Sequence, residues 1–346
     1  MPLSHPTTMS KAVTLLINDI HASRDNLSEF VLNWNEALEI CREENIPEMV
    51  IGGDLWQARS SQQLSVLMTV REAVLKATEE YGLRLIIAEG NHCKVDQEST
   101  YGYSHIFQNY RNVRVVDDFI RVSHEGFDLW VMSYFPENGS FPDKLKSVEE
   151  SMDKDRRNIL YIHQGIAGAL PVPASEDLPA ALFGRFDKVL VGHYHNRKRI
   201  KDTDIYYIGA SRQHNFGEDS DKGYTILYSD GSHEFVRNSV NTTFETVSVD
   251  AGSLDTLRPV DGDGGKRHVR LIVECDREEP VNRQALMDMG YSKVEVRVSA
   301  AKEDDSAEAG FDSRFDKEGI ISEYRKYCSS KGYDGVELGV SYLQKI

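Results

Sequence analysis

The sequence predicts an α/β protein built on two β-sheets, and three observations carry that prediction. Short apolar runs of strand length alternate with helical periodicities over the first 240 residues. Each buried run ends abruptly on polar residues. Two further segments, 113–135 and 205–237, read as antiparallel strands, which points to a second sheet. Strands alternating with helices are the pattern of a largely parallel sheet covered by helices, because each crossover lays a helix on a sheet face.

The apolar runs are "AVTLLIND" (12–19), "EMVIGGD" (48–54), "LRLIIAEGN" (83–91), "NILYIHQG" (158–165) and "KVLVGHYH" (188–195). Between the first two, Leu27, Phe30, Val31, Trp34, Leu38 and Cys41 recur at helical spacing. A second helix is predicted over 62–81, with Leu64, Leu67, Met68 and Val74 inward and Gly82 as its C-terminal stop. Turns at "HEGFD" and "YSDGSH" mark the antiparallel pairs. Near residue 241 the pattern changes: residues 244–299 give two strands, a short helix around "VNRQALMDMG" and an alternating strand "KVEVRVS", enough for a small α+β domain. "AAKEDDSAEAG" (300–310) is acidic, lacks large apolar residues and reads as a linker. After it, Ile320, Ile321, Tyr324, Tyr327 and Cys328 form one apolar stripe, followed by "VELGVSYL". The expected divisions are thus 11–240, 241–300, a linker at 301–311 and a tail at 312–346.

At 346 residues the chain can bury one large core and a smaller second one. No run approaches the roughly 20 apolar residues a membrane span requires, and "MPLSHPTTMSK" holds no apolar stretch. Cys41, Cys93, Cys275 and Cys328 lie far apart with no C-x-x-C spacing, so reduced thiols and a cytoplasmic location are expected. The formal net charge of −16 argues against binding nucleic acid by bulk electrostatics, which runs on Lys and Arg releasing counterions. An acidic chain handles phosphodiesters only where metal ions and a local basic strip do the work. No G-x-x-x-x-G-K-[ST] loop exists, since "DGDGGKR" lacks the spacing.

At the strand ends sit Asp19 and His21, Asp54, Asn91 and His92, His163, then His193 and His195. Carboxyl ends of neighbouring strands in α/β sheets open on one crevice, so these residues can meet there. Each piece alone is more often a solvated or core-satisfied side chain. Together, two carboxylates, an amide and several imidazoles can supply a pair of divalent metals.

This ordered set resembles the calcineurin-like metallophosphoesterases, whose motifs D-x-H, G-D, G-N-H-[DE], H and G-H-x-H match "DIH", "GGD", "GNH", His163 and "GHYH" across residues 13 to about 237. The resemblance implies a two-sheet sandwich flanked by helices. It also implies that Asp19, His21, Asp54 and His195 hold one metal while Asp54, Asn91, His163 and His193 hold a second, with Asp54 bridging. His92 would stay free of metal as an acid or phosphate contact. Mixed imidazole, carboxylate and amide donors suit Mn2+, Fe or Zn2+; the resemblance favours two Mn2+ ions, with Mg2+ a further option.

The segment "YYIGASRQHNFGEDSDKGYTIL" (206–227) is similar to the Y-x-G-S-x-x-x-x-F-G-E…KG stretch of SbcD-type DNA nucleases. The small domain is similar to the DNA-capping domain of that family, and the tail to the element that docks on an SbcC-type ABC ATPase. The compact tail is most similar to the bacteriophage members, small subunits of recombination exonucleases. The resemblance thus implies a metal-dependent exonuclease subunit, with possible endonuclease activity, acting on double- or single-stranded DNA. It would work with that ATPase and form a homodimer through the helices near 62–81 and 98–110. "HNRKRIK" adds Arg197, Lys198 and Arg199 as backbone-contact candidates, with Arg212 nearby. Tyr101, Tyr103, Phe107 and Tyr110 read as core or interface aromatics before base-stacking ones.

Two positions depart from the family pattern: Cys93 stands where the acid after G-N-H is usual, and Gln57 where a His is common. Cys93 reads as a small buried filler ahead of a soft ligand or redox switch. The metal motifs alone equally permit a phosphoesterase acting on small molecules or phosphoproteins. A non-catalytic scaffold subunit is the reading from another class, and the intact ligand set weighs against it.

Overall fold

The structure, a computed structural model, describes residues 10–260, 266–275, 281–298, 321, 324–328 and 336–343. The strands of the larger part are Ala12–Ile17 (β1), Glu48–Ile51 (β2), Arg84–Ala88 (β3), Val113–Val116 (β4), Phe119–Ser123 (β5), Phe127–Met132 (β6), Arg157–His163 (β7), Lys188–Gly192 (β8), Lys198–Arg199 (β9), Ile205–Tyr207 (β10), Gly223–Tyr228 (β11) and His233–Arg237 (β12). They make two six-stranded mixed sheets, ordered β12-β11-β1-β2-β3-β4 and β5-β6-β7-β8-β10-β9.

The apolar runs are continuous because these strands are covered on both faces. In β1, Leu15 and Ile17 turn toward helices Leu27–Glu43 (α1) and Leu64–Leu75 (α2), whereas Leu16 joins the layer between the sheets. Met49 and Ile51 against Val50 repeat this in β2, and Leu85 and Ile87 against Ile86 repeat it in β3. The inter-sheet layer is completed from the second sheet by Leu129, Ile159 and Leu190, while Phe141 and Leu145 of helix Phe141–Ser151 (α3) cover that sheet's outer face. Two sheets flanked by helices is the architecture expected.

Three details differ from the sequence reading. β5–β6 and β11–β12 are the antiparallel hairpins, but β4 joins β3 in parallel and β10 joins β8 in parallel. The second helix is α2 followed by a π-turn over Lys76–Glu80, closed by Gly82 at φ +67°. Its inward face is Val66, Val70, Ala73 and Val74, while Leu64 and Met68 are 73% and 43% exposed. Trp34 decides this: fully buried, its indole N–H donates to the Ala73 carbonyl at 2.9 Å, which requires a small residue at the contact.

Strands Thr243–Asp250 (β13), Arg267–Cys275 (β14) and Lys293–Val298 (β15) form a third sheet with helix Arg283–Asp288 (α4) between the last two, as read from the sequence. By contacts the chain divides into one unit of residues 1–274 and 280–297 and a second of 275–279 and 298–346. The third sheet is anchored through Gln213, which exchanges two hydrogen bonds with the Phe244 backbone, both 2.8 Å, and through the Phe216–Phe244 ring contact. The acidic linker and Ile320 lie outside the described residues. In the second unit Ile321 and Cys328 are buried, Tyr327 is 55% exposed, and helix Val336–Leu343 (α5) pairs through Glu337 with Arg325 at 3.1 Å. No helix among the described residues is long and apolar enough to cross a membrane.

Candidate metal centre

All seven residues named as ligands arrive at one place because β1, β2 and β3 of one sheet and β7 and β8 of the other end on the same side. The chain then has to turn sharply. Asp19, His21, Asp54 and His193 adopt positive φ, at 51°, 50°, 47° and 87°. For residues with a Cβ this costs on the order of 1–3 kcal/mol each, and such strain persists only where surrounding contacts over-determine it. Here the His21 amide donates to the Asp54 carbonyl at 2.9 Å, the Asp19 amide to Gly53 at 3.1 Å, and the His193 amide to the Asp19 carboxylate at 3.1 Å. Two glycines make the approach possible. A Cβ on Gly53 would meet His163 Nδ1 at 2.3 Å, and one on Gly90 would meet Asp54 Oδ1 at 2.2 Å.

Asp19, His21 and His195 place ligand atoms within 4.8 Å of one another, and so do Asp19, Asp54 and His163. Asp54 Oδ2 lies 3.6 Å from His21 Nε2 and 3.2 Å from His163 Nε2, so Asp54 reaches both groups. Asp19 Oδ1 does the same, at 3.9 Å from His21, 3.8 Å from His195 and 3.7 Å from His163, a centrality the sequence reading assigned to Asp54 alone. The Asn91 side-chain amide stands 3.3 Å from His193 Nδ1.

The donor set fits divalent cations by what it leaves unsatisfied. Asp19 Oδ1, at the centre of the cluster, is buried with no hydrogen-bond partner, a costly condition for a polar atom in the interior. His21 Nε2 and His195 Nε2 face each other at 3.2 Å, and their lone pairs have a common use in a cation. The Asn91 side-chain amide bridges the cluster to Arg59, donating to Asp54 Oδ2 at 3.2 Å and accepting from Arg59 Nη2 at 2.6 Å.

Burial lowers His21 and His193 to about 3, keeping both imidazoles neutral and ready to ligate. His163 behaves oppositely: burial opposes its charge, but the Asp54 and Asp19 carboxylates outweigh that and raise it to about 9. In the metal-free chain near neutral pH, His163 therefore carries a proton that a cation must displace. Metal affinity should therefore fall as pH falls, because bound protons compete with the cation. Titration calorimetry with Mn2+ at pH 7.5, in buffers of differing ionisation heat, should find net proton release from His163 and from His195, where burial again opposes the charge but Glu218 and Asp19 raise it; a release of zero would contradict the His163 assignment.

Three residues that the sequence reading did not single out complete the site. Glu218 Oε1 accepts from His195 Nδ1 at 2.8 Å, leaving Nε2 to face the cluster. His214 Nε2 donates to the Asp19 carbonyl at 2.8 Å, and its ring stands 5.1 Å from His21 and 5.0 Å from His195. Arg59 reaches His92. Glu218 and His214 both lie in the "RQHNFGE" stretch that the sequence had marked out, so the signal was present without a role attached. Carboxylates behind ligating imidazoles typically cost about 10–100-fold in metal affinity when removed, which is the loss expected for Glu218→Gln, read by competition with a chelating dye.

His92 stands beside the cluster without facing a carboxylate, its ring 5.0 Å edge-on from His21. Its Nδ1 donates to the Gln57 carbonyl at 2.8 Å, so a backbone oxygen orients the ring. Cys93, in that acid's place, is fully buried and its thiol is pushed well up, first by burial and then by Glu89, so it stays neutral. Besides filling space, its thiol reaches Asp54 Oδ1 at 4.0 Å.

Of the basic residues, Arg212 is 5% exposed and its guanidinium donates to the Ile20 carbonyl at 3.1 Å. Arg197 turns inward to the Ile208 carbonyl and over the Phe235 ring, and Lys198 donates to the Ala169 carbonyl at 2.8 Å. Arg199 is exposed and paired with Asp204 at 3.0 Å. Lys198 and Arg199 are exposed, Arg197 and Arg212 turn back to backbone carbonyls, and Arg197 and Lys198 line a cavity beside His193 and His195. That cavity has a volume of about 580 Å3 and is lined also by Leu170, Tyr194, Asn196 and Asn215.

No protein-family profile matches the chain. Among solved structures it is similar to an archaeal phosphodiesterase at 16% identity and a TM-score of 0.35, over 65% of this chain and 99% of that one. A Thermus thermophilus protein gives 11% and 0.42, over 66% and 99%. A dimetal phosphatase from Danio rerio gives 11% and 0.41, over 63% and 93%. Likeness at this level is too slight to assign an activity, which must be argued from the site.

Proposed function

We propose that this chain is a calcineurin-like metallophosphoesterase of the SbcD type, the nuclease subunit of a DNA-processing complex. The observation that carries the phosphoesterase part is the convergence of Asp19, His21, Asp54, His163 and His195, from strand ends of both sheets, into two groups whose ligand atoms lie within 4.8 Å of one another. Two divalent ions bound there supply Lewis-acid polarisation of phosphoryl oxygens and a nucleophile at neutral pH. The chain's own residues do the rest. Glu218 and His214 hold His195 and Asp19 in place, and His92, fixed by Gln57, is free to protonate the departing sugar oxygen. Mn2+ is the proposed ion.

The DNA reading is supported by how the third sheet is attached. Gln213 and Phe216, which hold it, belong to the same short segment whose Glu218 orients His195, so a second module is seated beside the phosphoester site. A phosphatase for small molecules has no need of that. Exposed apolar residues Leu64, Met68, Tyr101 and Ile106 lie in the two regions proposed for the homodimer. The tail from residue 312 is proposed to dock on an SbcC-type ABC ATPase, and the acidic chain to borrow DNA affinity from that complex.

The test is degradation of linear duplex DNA in Mn2+, with and without the cognate ATPase. Metal-dependent release of nucleotides, abolished by chelation and stimulated by the ATPase, is expected. Hydrolysis of phosphomonoesters with DNA untouched would favour a small-molecule phosphoesterase instead, and inactivity on every phosphoester would favour a scaffold.

A further inference from the structure

The cavity of about 580 Å3 opens beside His193 and His195, and apart from those two residues its walls belong to no ligand group. Its volume falls within the range of about 300–1,000 Å3 typical of small-molecule pockets. One wall is the half-buried Tyr194, which stands between the two histidines in the chain. Its ring packs on His193 at 4.9 Å and on the buried Tyr207 at 5.3 Å, and its hydroxyl donates to Asp177 Oδ1 at 2.6 Å, so the ring is held at both ends. Another wall is Leu170 and Pro171, from the loop between β7 and β8. That loop is anchored: the Ile166–Leu178 bridge closes its base, Asp177 Oδ2 accepts the Ala174 amide at 3.0 Å, and Lys198 Nζ donates to the Ala169 carbonyl at 2.8 Å. Asp177 thus ties both walls together. Leu170 nevertheless stays 37% exposed, an apolar surface without cover. The lining also includes Asn196, whose Oδ1 accepts from the Asp219 amide at 3.2 Å and from Lys222 Nζ at 2.9 Å, while its Nδ2 has no partner among the described residues.

We propose that this cavity is a nucleobase subsite, in which the base of a nucleotide whose phosphate lies at the metal centre stacks on Tyr194 and rests against Leu170 and Pro171. This rests on the phosphodiesterase reading and names the part of the substrate that the chain itself recognises. A base is flat, apolar on its faces and polar only along its edge, so an aromatic wall, an aliphatic wall and a free amide are the matching set. A phosphate or a bare sugar has no use for apolar walls. A phosphorylated phenol would fill them but would leave the Asn196 amide unanswered. Because His193 and His195 flank Tyr194, a base on that ring and a phosphate at the cluster are held by one tripeptide. Every base offers a π-face, so the site confers preference for nucleotides over other phosphoesters and not for one base over another.

The experiment compares wild type, Tyr194→Ala, Tyr194→Phe and Leu170→Asp as full chains loaded with Mn2+. Binding of dAMP, deoxyribose 5-phosphate and phenyl phosphate is measured by calorimetry, metal content by mass spectrometry, folding by thermal melting, and hydrolysis of linear DNA by nucleotide release. In wild type, dAMP should bind about five- to a hundredfold more tightly than deoxyribose 5-phosphate, the usual contribution of one base stacked on an aromatic ring. It should also outbind phenyl phosphate. Tyr194→Ala should erase the margin over deoxyribose 5-phosphate while manganese stays bound. Tyr194→Phe should keep most of that margin, and Leu170→Asp, on the exposed loop, should lose much of it even if Tyr194→Ala does not fold. A wild type without the margin, or one that binds none of the three ligands, overturns the proposal. So does a folded, manganese-loaded Tyr194→Ala or Leu170→Asp chain that keeps the full margin. Phenyl phosphate binding as tightly as dAMP would make the cavity a phenol pocket and overturn the nucleobase assignment. A wild type that binds dAMP through Tyr194 yet cleaves no DNA would sink the phosphodiesterase reading while leaving the base site standing.

Discussion

Asp54→Asn is expected to abolish phosphoester hydrolysis and to lower bound metal while the protein stays folded. Asp54 Oδ2 is the atom that reaches His21 on one side and His163 on the other, and Oδ1 accepts the His92 amide at 2.8 Å. An amide in its place removes the charge and one of the two oxygens, so it cannot serve two cations. Burial alone would raise the Asp54 carboxyl, but the neighbouring imidazoles, His163 foremost, hold it below its usual range, so the site is built for the anion. Losing polarisation worth several kcal/mol means a fall of at least about 10³-fold. The fold survives because Asn tolerates the left-handed backbone at φ 47° better than other replacements do. Diester hydrolysis in Mn2+, metal content and thermal melting check each part; wild-type turnover with full metal would refute the bridging role.

His92→Asn should lower turnover by about 10²- to 10⁴-fold, the usual contribution of a general acid, with metal content and DNA affinity nearly unchanged. The separation between those readouts follows from geometry. His92 touches the Gln57 carbonyl and Arg59 and lies only edge-on to His21, so its loss leaves every carboxylate contact of the cluster in place. Lost metal in this variant would make His92 a ligand, and unchanged turnover would leave the departing oxygen without its acid.

Much of the fold was legible because burial on both faces writes a strand as an unbroken apolar run, and the chemistry begins where the run stops. β1, β2, β3, β7 and β8 were read this way, together with the residues that follow or close them. Pairing direction was not legible for β4 and β10, since a short strand carries no local mark of which neighbour it will meet; their parallel partners β3 and β8 were chosen by the crossovers. The inward stripe of α2 was misread for a related reason. Leu64 and Met68 are the more apolar choice, but the helix had to bring a small residue, Ala73, under the Trp34 indole.

At the site, residue types and order determined by themselves that carboxylates, an amide and imidazoles would stand at strand ends, because each motif directly abuts its strand. Tertiary structure alone decided what surrounds them. A basic residue announces charge in the sequence but not direction, and Arg197 and Arg212 have stems long enough to turn back to buried carbonyls. Glu218 and His214 come to His195 and Asp19 from a loop far along the chain, and Arg59 meets His92 across thirty-three residues. Spacing along a chain encodes contacts within one helix or strand; contacts made between strand ends of two sheets depend on how those sheets pack, and that is fixed by the whole core at once.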